Sequence, residues 1–326
     1  MANYIGRRTA IGFGKESTRG TTVAATAWDK QVDLSIDDKI ESVAVGAAFG
    51  QIEDSEDSLI VKKWSEGSIT ANAKNESAGL LLLSLMGTDT PAAASGETIV
   101  YDHVFTVSNS NSHPTLTIAT DDPTQDYRFA NCLVDTFELN GEVGKFCQYK
   151  ATWQGKAGAT ATNTPAYNAD DRLFLPQHAT LKQASAIAGL TGATAIKIKK
   201  FSVKFEQNII ADDVLGSTSP NDFLNRHFAV SGEIELYFNN ESDWKAYQLA
   251  DTQRAMRIDL VNTDVTLGIA TNPKLRIDLA KVKFTDLGRD IKNDDIVSQK
   301  VSFKATYSVT DTSMATVTLT NKTASY

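Results

Sequence analysis

Two segments of the chain, 165 residues apart, carry the same landmarks in the same order. The first is "GSITANAKNESAGLLLLSL", from Gly67 to Leu85, and the second is "GEIELYFNNESDWKAYQL", from Gly232 to Leu249. Both open with Gly-x-Ile and reach Asn-Glu-Ser at the same spacing. The offset is about half of the 326 residues. An internal repeat of this length predicts a duplicated domain.

Further landmarks flank the two segments. An alternating strand and then a long polar stretch precede each Gly-x-Ile, and a Lys-Ala-Thr-aromatic motif closes each half, at Lys150–Trp153 and at Lys304–Tyr307. Between the halves, residues 154–171 are rich in Gly, Ala, Thr and Asn, which is typical of a linker. We therefore expect a first domain over 1–158, a linker over 159–171 and a second domain over 172–326.

Alternation of apolar and polar residues dominates the chain. Segments such as "QVDLSI", "KKFSVKF" and "LRIDLAKVKF" place β-branched and aromatic side chains on one face, which predicts half-buried strands. Two helices are expected. One carries Leu80 to Met86, capped by Asn75 or Ser77 and stopped at Gly87, and the other carries Trp244 to Leu249. The predicted class is mainly β, with a short helix and a long inter-strand loop in each half.

Composition excludes several classes of protein. The net charge of −8 lacks the basic footprint of a protein that binds DNA by neutralising phosphates. The longest apolar run, "GLLLLSLMG", is too short for a membrane-spanning helix, and the N-terminus does not resemble a signal peptide. Two cysteines, Cys132 and Cys147, are too few for a disulfide framework. A cross-strand pair is possible, but two buried reduced thiols are favoured.

No stretch carries a recognisable catalytic, metal or cofactor site. "GFGKESTRG" lacks the first Gly and the Ser or Thr of a phosphate loop, so a turn-rich arm is favoured. The four histidines lack metal-ligand spacing, and each is expected on the surface or in a loop. The acidic cluster "IEDSEDS" lacks the pattern of a calcium loop. The residues therefore predict no enzyme, no cofactor and no metal.

The N-terminal region resembles the opening of major tail tube proteins of long-tailed bacteriophages. The resemblance rests on Gly14-Lys15-Glu16 and Gly20-Thr21 before Trp28, and then on Gly67-Ser68-Ile69 and Leu85-Met86-Gly87. It covers most of the first half, and the second half follows by its similarity to the first. It implies an N-terminal arm, here containing Gly14, Lys15, Glu16 and Gly20, that reaches neighbouring subunits or rings.

The resemblance also implies a fold and a function. Each tube domain would be a β-sandwich-like unit, and six domains would close a ring whose inner wall is a continuous β-barrel. Stacked rings would form the tail tube, through which genomic DNA passes without sequence-specific binding. The expected partners are the tape measure, tail terminator and tail tip proteins, and the expected location is the virion tail, assembled in the host cytoplasm.

Duplication changes the number of chains that such a ring needs. Two tube domains per chain predict a homotrimeric ring with pseudo-sixfold symmetry, and a homohexamer is the alternative. The stretch from Val43 to Lys62 mixes apolar and acidic residues in a way that is odd for a free loop. We expect it to contact another subunit or ring; its candidate residues are Val45, Phe49, Ile52, Glu53, Asp54 and Glu56.

Three other classes of protein stay open. A bacterial secretion tube shares the architecture, but its protomer is usually a single domain. A β-sandwich binding or adhesion module should display clustered exposed aromatics, whereas the four tryptophans here are scattered over predicted strands and a helix. These tryptophans are expected in the core. A β-sandwich hydrolase is the enzyme alternative, but the sequence offers no candidate catalytic residue for it.

Overall fold

A computed structural model describes residues 3–48, 50–238 and 242–326 of the chain. The strands of the first half are β1 (Ala10–Lys15), β2 (Ala27–Asp29), β3 (Gln31–Ala44), β4 (Ser58–Asn72), β5 (Gly87–Ala93), β6 (Tyr101–Val107), β7 (Leu116–Asp121), β8 (Asp126–Glu142), β9 (Gln148–Gly155) and β10 (Ala159–Ala161). Those that follow are β11 (Ala179–Ala184), β12 (Ala195–Ile196), β13 (Lys200–Glu206), β14 (Ile210–Asp212), β15 (Asp222–Leu224), β16 (Ala229–Tyr237), β17 (Arg254–Val261), β18 (Lys274–Asp290), β19 (Ser298–Ala305) and β20 (Ala315–Asn321). The mainly β prediction is confirmed.

Both predicted helices are present, as α1 (Gly79–Met86) and α2 (Ser242–Leu249). All eight residues of α1 are buried, and it ends as predicted, at Gly87 with a left-handed φ of 92°. The predicted cap is wrong: the N-cap position is Ala78, and no side chain caps the helix. Asn75 is buried instead, where its Oδ1 accepts a hydrogen bond from the Arg172 amide.

An eight-stranded antiparallel sheet runs through both halves of the chain. Its strand order is β3–β4–β9–β8–β13–β16–β19–β18, with β8 and β18 contributing their C-terminal parts. The junction between the halves is the pairing of β8 with β13, which extends from Thr136↔Glu206 to Glu142↔Lys200. We call this the eight-stranded sheet.

The N-terminal parts of β8 and β18 belong to two further sheets. One has the order β2–β1–β7–β8–β10, and the other has the order β12–β11–β17–β18–β20–β6–β5. Apolar side chains of all three sheets join one buried cluster, which includes Phe13, Ile69, Trp153, Phe303 and Leu319. Each half therefore packs a second sheet against its share of the eight-stranded sheet.

Strand pairing repeats between the halves, down to the irregularities. Gly67 stands opposite Trp153, and Gly232 stands opposite Phe303. The pairing of β8 with β9 shifts register after Val134, and the pairing of β18 with β19 shifts after Phe284, 150 residues later. A register shift also follows Leu116 between β7 and β8 and Arg254 between β17 and β18. Because bulges are specific features of a fold, their repetition supports duplication.

This register corrects the last landmark of the repeat. Lys150–Trp153 lies in β9, and the residues at the same pairing positions of β19 are 300–303, since Phe303 takes the place of Trp153. The predicted counterpart, Lys304–Tyr307, lies four residues too late and leaves the strand at Ala305. Tyr307 is 54% exposed, whereas Trp153 and Phe303 are buried. A buried aromatic against glycine is the shared feature, and not the Lys-Ala-Thr motif.

The predicted linker makes specific contacts. Its first residues form β10, which pairs with the start of β8, and Asn163 accepts a hydrogen bond at Oδ1 from Arg128. At its other end Asp171 lies 3.2 Å from Lys74 Nζ.

The two halves differ after their helices. The β5–β6 hairpin lies between α1 and β7, whereas no hairpin lies between α2 and β17. In addition, β6 of the first half pairs with β20 of the second. The domain boundaries stay a prediction.

The contact between β5 and the C-terminal residues should make stability depend on pH. Buried His103 bonds Asp89 Oδ2 at 2.8 Å and the Thr323 carbonyl oxygen at 2.7 Å. Burial alone would lower the pKa of His103, but these bonds and the Asp89 charge raise it above its ordinary value of 6.5. The protonated ring then adds stability below pH 6.5, and this contribution is lost as pH rises through the folded-state pKa.

Urea unfolding of the wild-type protein and of His103→Gln between about pH 5 and pH 8 measures this contribution. We expect the wild-type advantage to shrink with rising pH. An advantage that stays constant over this range would contradict the assignment.

Candidate assembly surface

One face of the eight-stranded sheet packs on the core and the other is polar. Along β13, for example, Phe201, Val203 and Phe205 are buried, while Lys200 and Lys204 point to the opposite face. We call this opposite side the polar face. The alternation predicted from the sequence is confirmed for these strands.

The β14–β15 hairpin covers one end of the polar face. There Ile209 and Phe223 pack on buried Leu133 of β8 and half-buried Trp64 of β4.

Charges alternate across the strands of the polar face. One row places Lys150, Glu138 and Lys204 opposite one another, and Ser202 donates a 2.9 Å hydrogen bond to Glu138. A second row runs across four strands as Glu142, Lys200, Glu235 and Lys300. Opposite charges on neighbouring strands stabilise the pairing modestly.

Beyond these two rows the polar face is mainly acidic. Lys39, Lys62, Lys283 and Lys304 are its further lysines in the strands. Its further carboxylates are more numerous and lie on β3, β4, β13, β16 and β18: Asp33, Asp37, Glu41, Glu66, Glu206, Glu233, Asp286 and Asp290. The face therefore presents a net negative charge.

Within the described residues, the eight-stranded sheet ends in two unpaired edges. β3 pairs with β4 on one side only. The C-terminal part of β18 pairs with β19 on one side only, because β17 covers β18 no further than Val282. Unpaired edges of this length are a ready template for pairing with another chain. These two edges are the strongest structural indication that the protomer pairs with another chain. They were not predicted from the sequence.

The predicted contact loop is the tip of a long hairpin. β3 and β4 pair out to Ala44↔Ser58, so the loop is 45–57 and not the whole of 43–62. Val45 is exposed and its amide donates to the Asp57 carbonyl oxygen, and Ile52 is fully exposed. Glu53, Asp54 and Glu56 lie in the same loop, and Phe49 lies outside the described residues. Exposed Ile40, Val43 and Leu59 extend the apolar surface down the hairpin.

The four residues predicted for an N-terminal arm lie within the protomer. Gly14 and Lys15 belong to β1, which pairs with both β2 and β7, so they are not part of an extended arm. Glu16 is buried. Its carboxylate accepts hydrogen bonds from the amides of Gly20 and Asn131, both at 2.8 Å, and from the Thr115 hydroxyl at 2.7 Å. Their contact with neighbouring subunits stays a prediction.

The four histidines lie in different surroundings. His103 in β6 and His178 in a 3₁₀ turn are buried, so the expectation of a surface or loop position is wrong for these two. It holds for His113, which is buried but lies in the loop before β7, and for exposed His227. Each buried ring is held by hydrogen bonds; His178, for example, bonds Asp264 Oδ2 at 3.0 Å.

The cysteines and tryptophans mostly lie in the core. Cys132 and Cys147 are free and buried, and burial raises the pKa of Cys147 to about 11. Three tryptophans are in the core, as predicted, and Trp64 is half-buried with its indole N–H donating to Glu66.

Within the described ranges, no three His, Cys, Asp or Glu side chains are grouped so that they could hold a metal ion. In the same ranges, no helix combines the length and apolarity needed to cross a membrane.

Comparison with known families decides between the classes left open by the sequence. A family model described as "phage tail tube protein" matches residues 6–319, nearly the whole chain. The chain belongs to the phage tail tube protein family. It is a structural component of the virion tail and not an enzyme. A search of curated proteins gives no match.

The exposed features described above are those of a member of the tail tube family. Within the described residues, the chain presents two open sheet edges, an exposed apolar hairpin and a polar sheet face. The match spans both halves of the chain, so both fall within the tail tube family.

Proposed function

We propose that three copies of this chain close into a ring with pseudo-sixfold symmetry, and that stacked rings form the tail tube. The observation that carries the proposal is the repeated strand register, with both bulges, in two halves joined by one sheet. The resemblance to tail tube proteins implies six tube domains per ring. With two such domains in each chain, three chains supply all six.

The polar face of the eight-stranded sheet is suited to line the lumen of the ring. Its other face is occupied by the core, so only the polar face is available to a central channel. The net negative charge of this face repels the phosphates of passing DNA and favours sliding over binding. Closure of the sheet into a barrel would also remove both open edges.

The assembled tube would carry genomic DNA during ejection into the host. Its ends and its length require partners, which we propose to be the tail terminator, tail tip and tape measure proteins. The alternative assembly is a homohexamer, in which only one half of each chain forms the wall. The β8–β13 junction favours the trimer, because it places strands of both halves in one sheet.

The hairpin loop 45–57 is suited to contact the neighbouring ring. Ile52→Asp should block stacking, because a buried carboxylate would replace an apolar side chain in the contact. The protomer should keep its stability within about 0.5 kcal/mol, since Ile52 is fully exposed. Electron microscopy for tube length and thermal unfolding for stability measure the two effects. Val309→Asp, at another exposed apolar position, is the matched control and should form tubes.

Electron microscopy of the concentrated wild-type protein tests the proposed function itself. We expect hollow rings or tubes, either alone or after addition of tail tip components. Small isolated particles under both conditions would contradict it, and would favour a component that decorates a tail instead of building its wall.

A further inference from the structure

We propose that the ring closes by pairing of β18 in one chain with β3 of the next, in the register that the chain already uses between β8 and β13. This inference rests on the proposed ring and adds the contact that closes it. It names the partner, a second copy of this chain, and assigns each residue of the new junction an opposite residue.

The strand equivalences come from pairings inside the chain. β8 and β18 are related by an offset of 150, because Val134 and Phe284 stand at the same position before equivalent bulges. β3 and β13 are related by an offset of 167. Asp33 stands opposite Thr70, Lys200 stands opposite Glu235, and β4 and β16 are themselves offset by 165. β3 is therefore the counterpart of β13, and β18 the counterpart of β8.

These equivalences match covered edges with open ones. The edge of β13 that pairs with β8 corresponds to the open edge of β3, and the edge of β8 that pairs with β13 corresponds to the open edge of β18. Phe201 and Val203 on β13 are buried, while their counterparts on β3, Leu34 and Ile36, are only half-buried. Pairing of the two open edges would complete the burial that the internal junction already has.

Transferring the internal register gives the pairs of the new junction. Lys200↔Glu142, Ser202↔Asn140 and Glu206↔Thr136 become Asp33↔Lys292, Ser35↔Asp290 and Lys39↔Asp286. Two of the three new pairs combine opposite charges. Within the protomer Lys292 and Lys39 lie near exposed Asp290 and Asp37, at 3.3 and 3.1 Å. These contacts are exposed and weak, so they do not prevent pairing across the junction.

The pair Asp33↔Lys292, which we call the end pair, also distinguishes correct from incorrect strand pairings between chains. The internal junction has lysine on β13 and glutamate on β8, whereas the new junction has aspartate on β3 and a lysine two residues beyond the end of β18. If β3 paired with β8, Asp33 would face Glu142; if β13 paired with β18, Lys200 would face Lys292. Like charges directly opposite each other destabilise both wrong pairings. The first and second halves must then alternate around the ring.

Side-chain volume favours the same alternation. At the internal junction Phe201 fills the space beside Gly141, where any Cβ would collide with its ring. At the new junction the corresponding residues are Leu34 and Ile291, and Ile291 is 69% exposed in the protomer. A Phe201–Ile291 pairing would be overpacked, and a Leu34–Gly141 pairing would leave a gap. The internal junction therefore pairs a large side chain with glycine, and the new junction pairs two side chains of intermediate size.

A charge exchange tests the end pair. Asp33→Lys and Lys292→Asp should each raise the protein concentration needed for rings about tenfold or more, because the change is repeated at every junction of the ring. The double variant should restore assembly to near the wild-type concentration. Lys197→Asp makes the same charge change at an exposed position outside the junction and should have no effect. Failure of the double variant to recover would overturn the assigned pair.

A cysteine pair tests the register and separates it from the ring itself. Ser35→Cys with Asp290→Cys should form disulfides between chains in assembled rings under oxidised glutathione, seen as covalent dimers and trimers on a non-reducing gel. Ser202→Cys with Asn140→Cys is the internal control, because it has the same register and should form a disulfide within one chain.

Suppose that the wild-type protein forms rings and that the Ser202→Cys/Asn140→Cys control forms its disulfide. Failure of Ser35→Cys/Asp290→Cys to form a disulfide between chains would then overturn this junction but not the ring. Absence of wild-type rings would overturn both.

Discussion

Replacing either Gly67 or Gly232 with valine is expected to destabilise the protein by at least about 2 kcal/mol. A Cβ at Gly67 would overlap the indole ring of Trp153, and a Cβ at Gly232 would overlap both the Phe303 ring and the Ser202 carbonyl oxygen. An aromatic ring can move by rotation, whereas the carbonyl oxygen belongs to a paired strand. Gly232→Val should therefore have the larger effect. Urea unfolding measures both.

Gly192→Val is the control for this pair, because a Cβ there meets no atom within 4 Å. It should leave the free energy of unfolding within about 0.5 kcal/mol of the wild-type value. Equal and small effects at all three glycines would show that the aromatic–glycine contact does not constrain either half. The pairing of glycine with an aromatic residue, which both halves share, would then contribute little to the free energy of unfolding.

The second large effect is expected at Lys74, where substitution by methionine should cost about 3–5 kcal/mol. Lys74 Nζ pairs with Asp29 Oδ1 and lies 3.2 Å from Asp171 Oδ2, and all three side chains are more than nine-tenths buried. Burial alone would lower the pKa of Lys74, but the two carboxylates raise it above its ordinary value. Methionine keeps the length of the side chain and leaves two buried carboxylates without their cation.

Unfolding at several pH values gives this prediction a second readout. The deficit of Lys74→Met should shrink as pH falls, because burial raises the pKa of Asp171 and its protonation removes one unpaired buried charge. Lys283→Met breaks an exposed pair with Asp251, 2.7 Å away, and should change stability by less than about 1 kcal/mol. A deficit at Lys74 as small as that at Lys283 would contradict the assigned role of the buried cluster.

Much of the fold could be predicted because its strands follow simple alternation. Phe201, Val203 and Phe205 face the core at every second position, and the sequence shows this directly. The Gly-x-Ile echo is informative for a physical reason: Gly67 and Gly232 each make room for a buried aromatic ring on the neighbouring strand. The helix C-terminus at Gly87 was predictable because its φ of 92° strongly favours glycine.

Other features depend on contacts between distant segments. The last repeat landmark was placed at Lys304–Tyr307 because the letters match, whereas pairing with Gly232 selects Phe303. The resemblance places Glu16 in an N-terminal arm, but its hydrogen-bond partners Thr115 and Asn131 lie about a hundred residues away in the sequence. The buried histidines were missed for the same reason: His103 bonds Thr323, 220 residues later.

The open edges are a property of the whole sheet. β3 and β13 have similar alternating sequences, yet β13 is paired on both sides and β3 on one. No local pattern records that difference. The charges of Asp33 and Lys292 become informative only after the register of β8 with β13 assigns them to opposite positions.

The number of chains in one ring is the measurement that most directly tests this account. A cryo-electron microscopy map of assembled rings or tubes, viewed along the channel, counts them. We predict three chains per ring, six similar wall units and a polar inner surface formed by both halves. Six chains per ring, with only one half of each in the wall, would contradict the account.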